Sequence, residues 1–257
     1  MPNHVLLNNV DHKDLRVITA RGAAYGDAVM SALTFPAEFR ELQASYPIVF
    51  ARTADGMSFD PVALLGFEEG ENLFLVEDPE TGQARWDAPA IPLTVERQPF
   101  MIGRGAEELS VHVDLDSPRL STAPGVGEAL FLSYGGTSET LERIASVLRT
   151  IHEGLTASRG FIAALMELEL LESFALDIEL DDGSQNRLAG FYTIHEERLL
   201  ALPAERLERL NRAGYLQAIY MAVASLSQFR GLIERRNRAN RDRHEQRARA
   251  GFDAIRV

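Results

Sequence analysis

The hydrophobic periodicity changes at Gly135-Gly136-Thr137-Ser138, and that break limits the possible folds more than any other feature. Before it, apolar residues come in short runs cut by proline and glycine. Residues 15–20, 47–52, 62–67, 72–77 and 109–115 read as strands, with Glu68-Glu69-Gly70 suggesting a hairpin between the third and fourth. Pro36 opens a short predicted helix over 37–44. After the break the period is helical. Thr137 or Ser138 caps a helix carrying Leu141, Ile144, Leu148 and Ile151, which Gly154 ends. Thr156 caps another, with Phe161, Leu165 and Leu168 at helical spacing.

The spacing then predicts one hairpin, 174–180 and 187–194, turning at Asp181-Asp182-Gly183-Ser184. A helix follows from Pro203 to Gly214. A last one starts near Tyr215, with the stripe Tyr215, Ile219, Ala222, Leu226, Phe229 and Ile233. The expected fold is α+β. Its strand-rich N-terminal half has a mixed, mainly antiparallel sheet, and its helix-rich C-terminal half carries one β-hairpin. With no long linker or internal repeat, residues 1–257 are expected as a single domain. It comprises a strand-rich subdomain over residues 1–134, a helix-rich subdomain over 135–233 and an Arg-rich tail over 234–257, expected to project beyond Ile233.

Composition removes several kinds of chemistry. The chain has no cysteine, which excludes disulfides, thiolate catalysis, iron–sulfur clusters and cysteine zinc sites. The net charge is -12. Nine arginines against four acids lie from Arg230 onward, so that segment is basic and the remainder strongly acidic. An acidic body does not attract nucleic acid, and no nucleic-acid partner is expected. No run of about 18 uncharged apolar residues occurs, so no membrane span is expected. The first residues lack a basic region and a long apolar run, unlike a signal peptide. The expectation is a soluble, cytoplasmic protein.

Two patterns are candidate sites. The segment from Trp86 to Phe100 is fixed by Pro89, Pro92 and Pro99 and carries Trp86, Arg97 and Phe100. Trp86, Arg97, Pro99 and Phe100 are the binding candidates, since aromatic and arginine side chains dominate binding hot spots. The equal alternative makes Trp86 and Phe100 core anchors. His112-Val113-Asp114 has the His-x-Asp spacing of non-haem iron oxygenases. On a strand both side chains share a face, and His195 or His152 would supply the third ligand. The competing reading is a surface pair on a half-buried strand. Gly135-Gly136-Thr137-Ser138 is a possible anion cradle, but a tight turn with a helix cap is the stronger reading. Neither a phosphate-binding loop nor a nucleophile elbow is present.

Several segments in order carry a family resemblance. They are Phe35-Pro36-Ala37-Glu38-Phe39, Tyr46-Pro47-Ile48-Val49-Phe50, Ala63-Leu64-Leu65-Gly66-Phe67 and Glu71-Asn72-Leu73-Phe74-Leu75. Trp86, Pro92, Arg97-Gln98-Pro99-Phe100, Gly190-Phe191-Tyr192-Thr193-Ile194 and Leu210-Asn211-Arg212-Ala213-Gly214 continue the series. Together they resemble the SapC family, named after a protein linked to bacterial surface layers. Where that family carries two arginines and a tyrosine before Pro-Phe, this chain has Glu96, Arg97 and Gln98. The resemblance implies a role near the cell envelope, in surface-layer or outer-membrane systems. The favoured reading is a non-enzymatic binding or accessory protein, without cofactor, serving a surface-layer or outer-membrane protein assembly or modification system. It implies a protein partner, and a homodimer is the other association considered. The alternative is a non-haem iron oxygenase or related enzyme using His112 and Asp114.

Overall fold

The computed structural model describes residues 3–78, 81–104 and 109–254. Its N-terminal half is rich in strands and its C-terminal half in helices, an α+β chain whose described strand pairings are all antiparallel. No helix among the described residues is long and apolar enough to cross a membrane. The chain divides into two compact units that interleave in sequence. One holds 1–28, 75–87 and 91–159, and the other holds 29–74, 88–90 and 160–257.

The first unit contains three small sheets. Strand Leu109–Asp114 lies between His4–Leu6 and Phe100–Arg104. Arg16–Val17 lies between Leu120–Ser121 and Glu128–Ala129. Leu75–Glu77 pairs with Ala84–Trp86. Its core gathers Leu15, Val17, Phe100, Val113, Leu130 and Phe131 with Leu141, Ile144 and Leu148 of the helix Glu139–Glu167. Ser138 caps that helix by accepting from the Leu141 N–H at 3.2 Å.

The second unit is a five-stranded sheet in the order Leu171–Glu179, Gln185–Ile194, Ile48–Arg52, Phe59–Leu64, Ser31–Leu33. The run Ile48, Val49, Phe50 is fully buried, as a central strand of continuous apolar residues requires. Phe161, also fully buried, meets Phe39, Phe50 and Tyr215 in tilted and edge-on ring contacts. Pro203 and the left-handed Gly214 bound the helix Ala204–Arg212, and Tyr215–Ser225 follows.

Three expectations fail, each for a physical reason. The strand Phe59–Leu64 does not form a hairpin with 72–77, because Ile48–Arg52 and Ser31–Leu33 take both its edges. Residues 66–74 make a loop instead, held by the Phe67 N–H on Glu71 Oε2 at 3.0 Å. Secondly, Gly154 does not end a helix. One helix runs from Glu139 to Glu167, with Thr156 inside it donating to the His152 carbonyl at 2.8 Å. An internal glycine costs about 1 kcal/mol, less than the apolar face stabilises. At Gly160 the small residue is required, since an added Cβ would stand 2.5 Å from the Tyr215 hydroxyl.

Thirdly, the Arg-rich segment does not project directly after Ile233. The helix Phe229–Ala254 stays docked through polar contacts where its apolar stripe stops. Arg235 lies over the Phe74 ring at 4.4 Å. The buried Arg236 pairs with Glu71, and with Glu68 at 2.7 Å. Asn237 Oδ1 accepts from the Asp181 N–H at 3.0 Å, and Arg241 meets Asp181 at 2.9 Å. Truncation after Arg235 is therefore expected to destabilise by about 3 kcal/mol in urea unfolding, because it leaves Glu71 without its cation.

Glu167 gives a pH-dependent test of the same unit. Its carboxylate accepts from Arg209 at 2.6 Å and Arg206 at 3.2 Å. The Arg209 hydrogen bond, followed by the two positive charges, holds its carboxyl below the usual carboxylate range. A depressed folded pKa gives stability that is present above the unfolded value and lost as pH falls through the folded one. Glu167→Gln is expected to lower the melting temperature at neutral pH. The difference should vanish below the carboxylate range.

Candidate functional site

Trp86, Arg97, Pro99 and Phe100 all belong to the first unit, but only some of them face outward. Trp86 ends its strand opposite Leu75 and is half-buried. The short helix Leu93–Glu96 is followed by Arg97, whose Nη1 donates to the Phe100 carbonyl at 2.6 Å. Burial pushes the Arg97 guanidinium below its ordinary value. Pro99 is buried behind a cis Gln98–Pro99 peptide. Phe100 is 0% exposed and sits in the core with Val113 and Leu130. Phe100 is thus an anchor of the fold, and Arg97 closes the turn that feeds it.

His112 and Asp114 share a strand, as expected, but do different work. The His112 ring lies directly over Gly103, where a Cβ would come within 2.0 Å of its atoms. Its Nδ1 is buried and has no hydrogen-bond partner. Asp114 Oδ1 accepts from the N–H groups of Asn3 at 2.9 Å and Asp116 at 3.2 Å, fixing the end of the strand. His195 belongs to the other unit. It caps the helix Glu196–Leu200, its Nδ1 accepting from the Arg198 N–H at 3.4 Å. Among the described residues no three His, Asp or Glu side chains are grouped so as to hold a metal ion.

Two features of the first unit had no clear sequence signal. The first is an open groove of about 980 Å³ lined by residues 11–16, Leu115, Thr122, Pro124, Ala129 and 131–133. Its lining combines the apolar Leu15, Leu115, Phe131 and Leu132 with the charged Asp11, Lys13, Asp14 and Arg16. Two turns meet beside it, Asn9 Nδ2 donating to the Gly135 carbonyl at 2.7 Å. They expose Tyr134 at 82% and Val10 at 77%.

The second is a buried ion pair. Asp27 is 0% exposed and its Oδ1 receives Arg119 Nη2 at 2.6 Å and Arg21 Nη1 at 3.5 Å. Asp27 Oδ2 accepts from the Gly22 N–H at 2.9 Å. Arg119 Nη1 donates to the carbonyls of Ile18 and Ala20 at 3.2 and 2.9 Å, and its guanidinium lies 5.6 Å from the Tyr25 ring centre. One arginine thereby fixes the whole 18–27 turn. Arg119 falls in a Ser-, Thr-, Pro- and Gly-rich loop, where nothing in the local pattern marks it as buried.

The SapC family model matches residues 7–232. The chain belongs to the SapC family. The match spans both compact units, so the residues of the groove, the ion pair and the five-stranded sheet all lie within the family's extent. No curated protein and no solved structure matches the chain.

The histidine on Gly103 supplies a direct check of this packing. Gly103→Ala is expected to destabilise by about 1–3 kcal/mol, since the imidazole must leave its place. Adding His112→Ala should recover most of that loss in the double variant. Independent, additive losses would contradict the contact.

Proposed function

We propose that the protein is a non-enzymatic binding or accessory component of a surface-layer or outer-membrane protein assembly or modification system, holding a protein partner in the groove of its first unit. Membership of the SapC family supports the setting, since the resemblance implies an envelope role. The observation that carries the binding reading is the groove with its partly apolar lining, beside which Tyr134 and Val10 are left in water. A tyrosine at that exposure gains nothing for the fold and offers both a ring and a hydroxyl to a partner. Clustered exposed apolar residues beside a charged rim are the usual composition of a protein-binding surface. The mixed charges of the groove's lining, Lys13 and Arg16 with Asp11 and Asp14, suit a polar polypeptide more than a uniformly charged polymer.

The test replaces Tyr134 by a photo-crosslinking phenylalanine in the native cell. Irradiation is expected to join the protein to a component of an envelope assembly or modification system. Val10→Asp and Tyr134→Ala should leave stability within about 0.5 kcal/mol and weaken that partner at least about tenfold. Crosslinking to a second copy alone would make the groove a homodimer surface. No adduct, or one indifferent to Val10→Asp, would remove the proposal.

A further inference from the structure

The five-stranded sheet of the second unit ends on one side in a long free strand. Leu171–Glu179 has nine residues and pairs only with Gln185–Ile194. Among the described residues no hydrogen bond from backbone or side chain reaches its other edge. Ser173, Ala175, Asp177 and Glu179 are exposed along it. The opposite edge of the sheet, Ser31–Leu33, has three residues and a buried centre. Proteins ordinarily keep edge strands short or cover them, because a row of open N–H and C=O groups pairs with other chains.

The two faces of the strand differ, and that difference selects the occupant. Side chains alternate between the faces. Asp177 and Glu179 share one face with Ser173 and Ala175, and all four stand in water. The other face holds Phe174, stacked on Phe229 at 5.2 Å, then Leu176 and the buried Ile178. Phe174 and Leu176 are only half-buried, so apolar surface stays open at the edge on that side. The charge is of one sign. From residue 160 to 186 the chain has no lysine or arginine, and the strand's own charges are Glu172, Asp177 and Glu179. Glu172 approaches His195 at 3.9 Å. Asp177 meets Arg187 across the ladder at 3.5 Å with both side chains mostly exposed, a pairing that water weakens. A second copy of this strand would bring acids alone, and like charges across a ladder repel. A strand with Lys or Arg on one face and apolar residues on the other answers both faces at once.

We infer that the outer edge of Leu171–Glu179 is a docking site for an extended basic polypeptide segment that alternates Lys or Arg with apolar residues. The segment adds a sixth strand to the sheet. Its backbone supplies the missing hydrogen bonds, its cations face Asp177 and Glu179, and its apolar side chains cover Phe174 and Leu176. The edge belongs to the second unit and the groove to the first, so either proposal can fail alone.

The probe is a capped peptide of the strand's own length alternating valine and lysine, titrated into the full chain. Binding is expected with a Kd of about 10–100 µM, weakening as salt screens the charges. Methylating all the peptide's amide nitrogens keeps the charge and removes the donors, and should weaken binding at least about tenfold. Hydrogen exchange at the outward N–H groups of 171–179 should slow when the peptide is present. Replacing both exposed acids, Asp177→Lys with Glu179→Lys, should reverse the preference toward a valine–glutamate peptide. Equal binding of the methylated peptide would reduce the contact to charge attraction and overturn the inference. Unchanged exchange in 171–179, an unaltered preference in the double variant or no binding at all would overturn it too. Self-association through this edge would make the occupant a second copy and overturn it as well.

Discussion

The contact between Asp27 and Arg119 organises the first unit. Few residues there belong to regular structure outside the long helix, and its sheets contain strands of only two to six residues. Short strands joined by irregular chain need their free backbone groups satisfied from elsewhere. Arg119 does this for the carbonyls of Ile18 and Ala20, and Asp27 does it for the Gly22 N–H. A buried ion pair of this kind adds little net stability compared with apolar residues of the same volume. What it supplies is direction. Five donors in a fixed plane can hold a turn in one shape, which dispersion contacts alone do less well.

The second unit is held differently. Its central strands bury long apolar runs, and aromatic rings on Phe39, Phe50, Phe161 and Tyr215 lock the helices onto the sheet. Polar contacts there fasten particular places. The Ser225 hydroxyl accepts from the Ile48 N–H at 2.8 Å while donating to the Ala222 carbonyl, tying the helix Tyr215–Ser225 to a central strand. Arg236 does the same for the last helix. The first unit, by contrast, presents surfaces shaped by loops, the kind of chain on which binding residues concentrate.

What the sequence made legible was local chemistry. Ser138 as a cap, Pro203 and Gly214 as helix limits and the Asp181–Ser184 turn each depend on residues a few positions apart. The family resemblance was legible too, because it rests on the order of short segments. Gly154 aside, where a helix simply outweighs one internal glycine, the failures share one cause, which is distance along the chain. Arg119 lies 92 residues from Asp27, and Arg236 lies 165 residues from Glu71. An arginine in a polar run looks solvated until its carboxylate is brought to it. Residues 62–67 looked like half of a hairpin with 72–77 for the same reason, since the strand that forms there, Phe59–Leu64, has neighbours that include Ser31–Leu33, far upstream in the chain. The groove was hidden because it is made of separate loops.

Asp27 and Arg119 act together as the one contact on which the irregular first unit is built. A double-mutant cycle with Asp27→Asn and Arg119→Met measures this most directly, read by urea unfolding at neutral pH. Each single change should destabilise by about 3–5 kcal/mol, because each leaves a charge or donor buried without its partner. The double variant should be no worse than Arg119→Met alone, which corresponds to a coupling of about 3 kcal/mol or more. Single effects that simply add would show two independent residues, and the ion pair would then not be what holds this region of the fold.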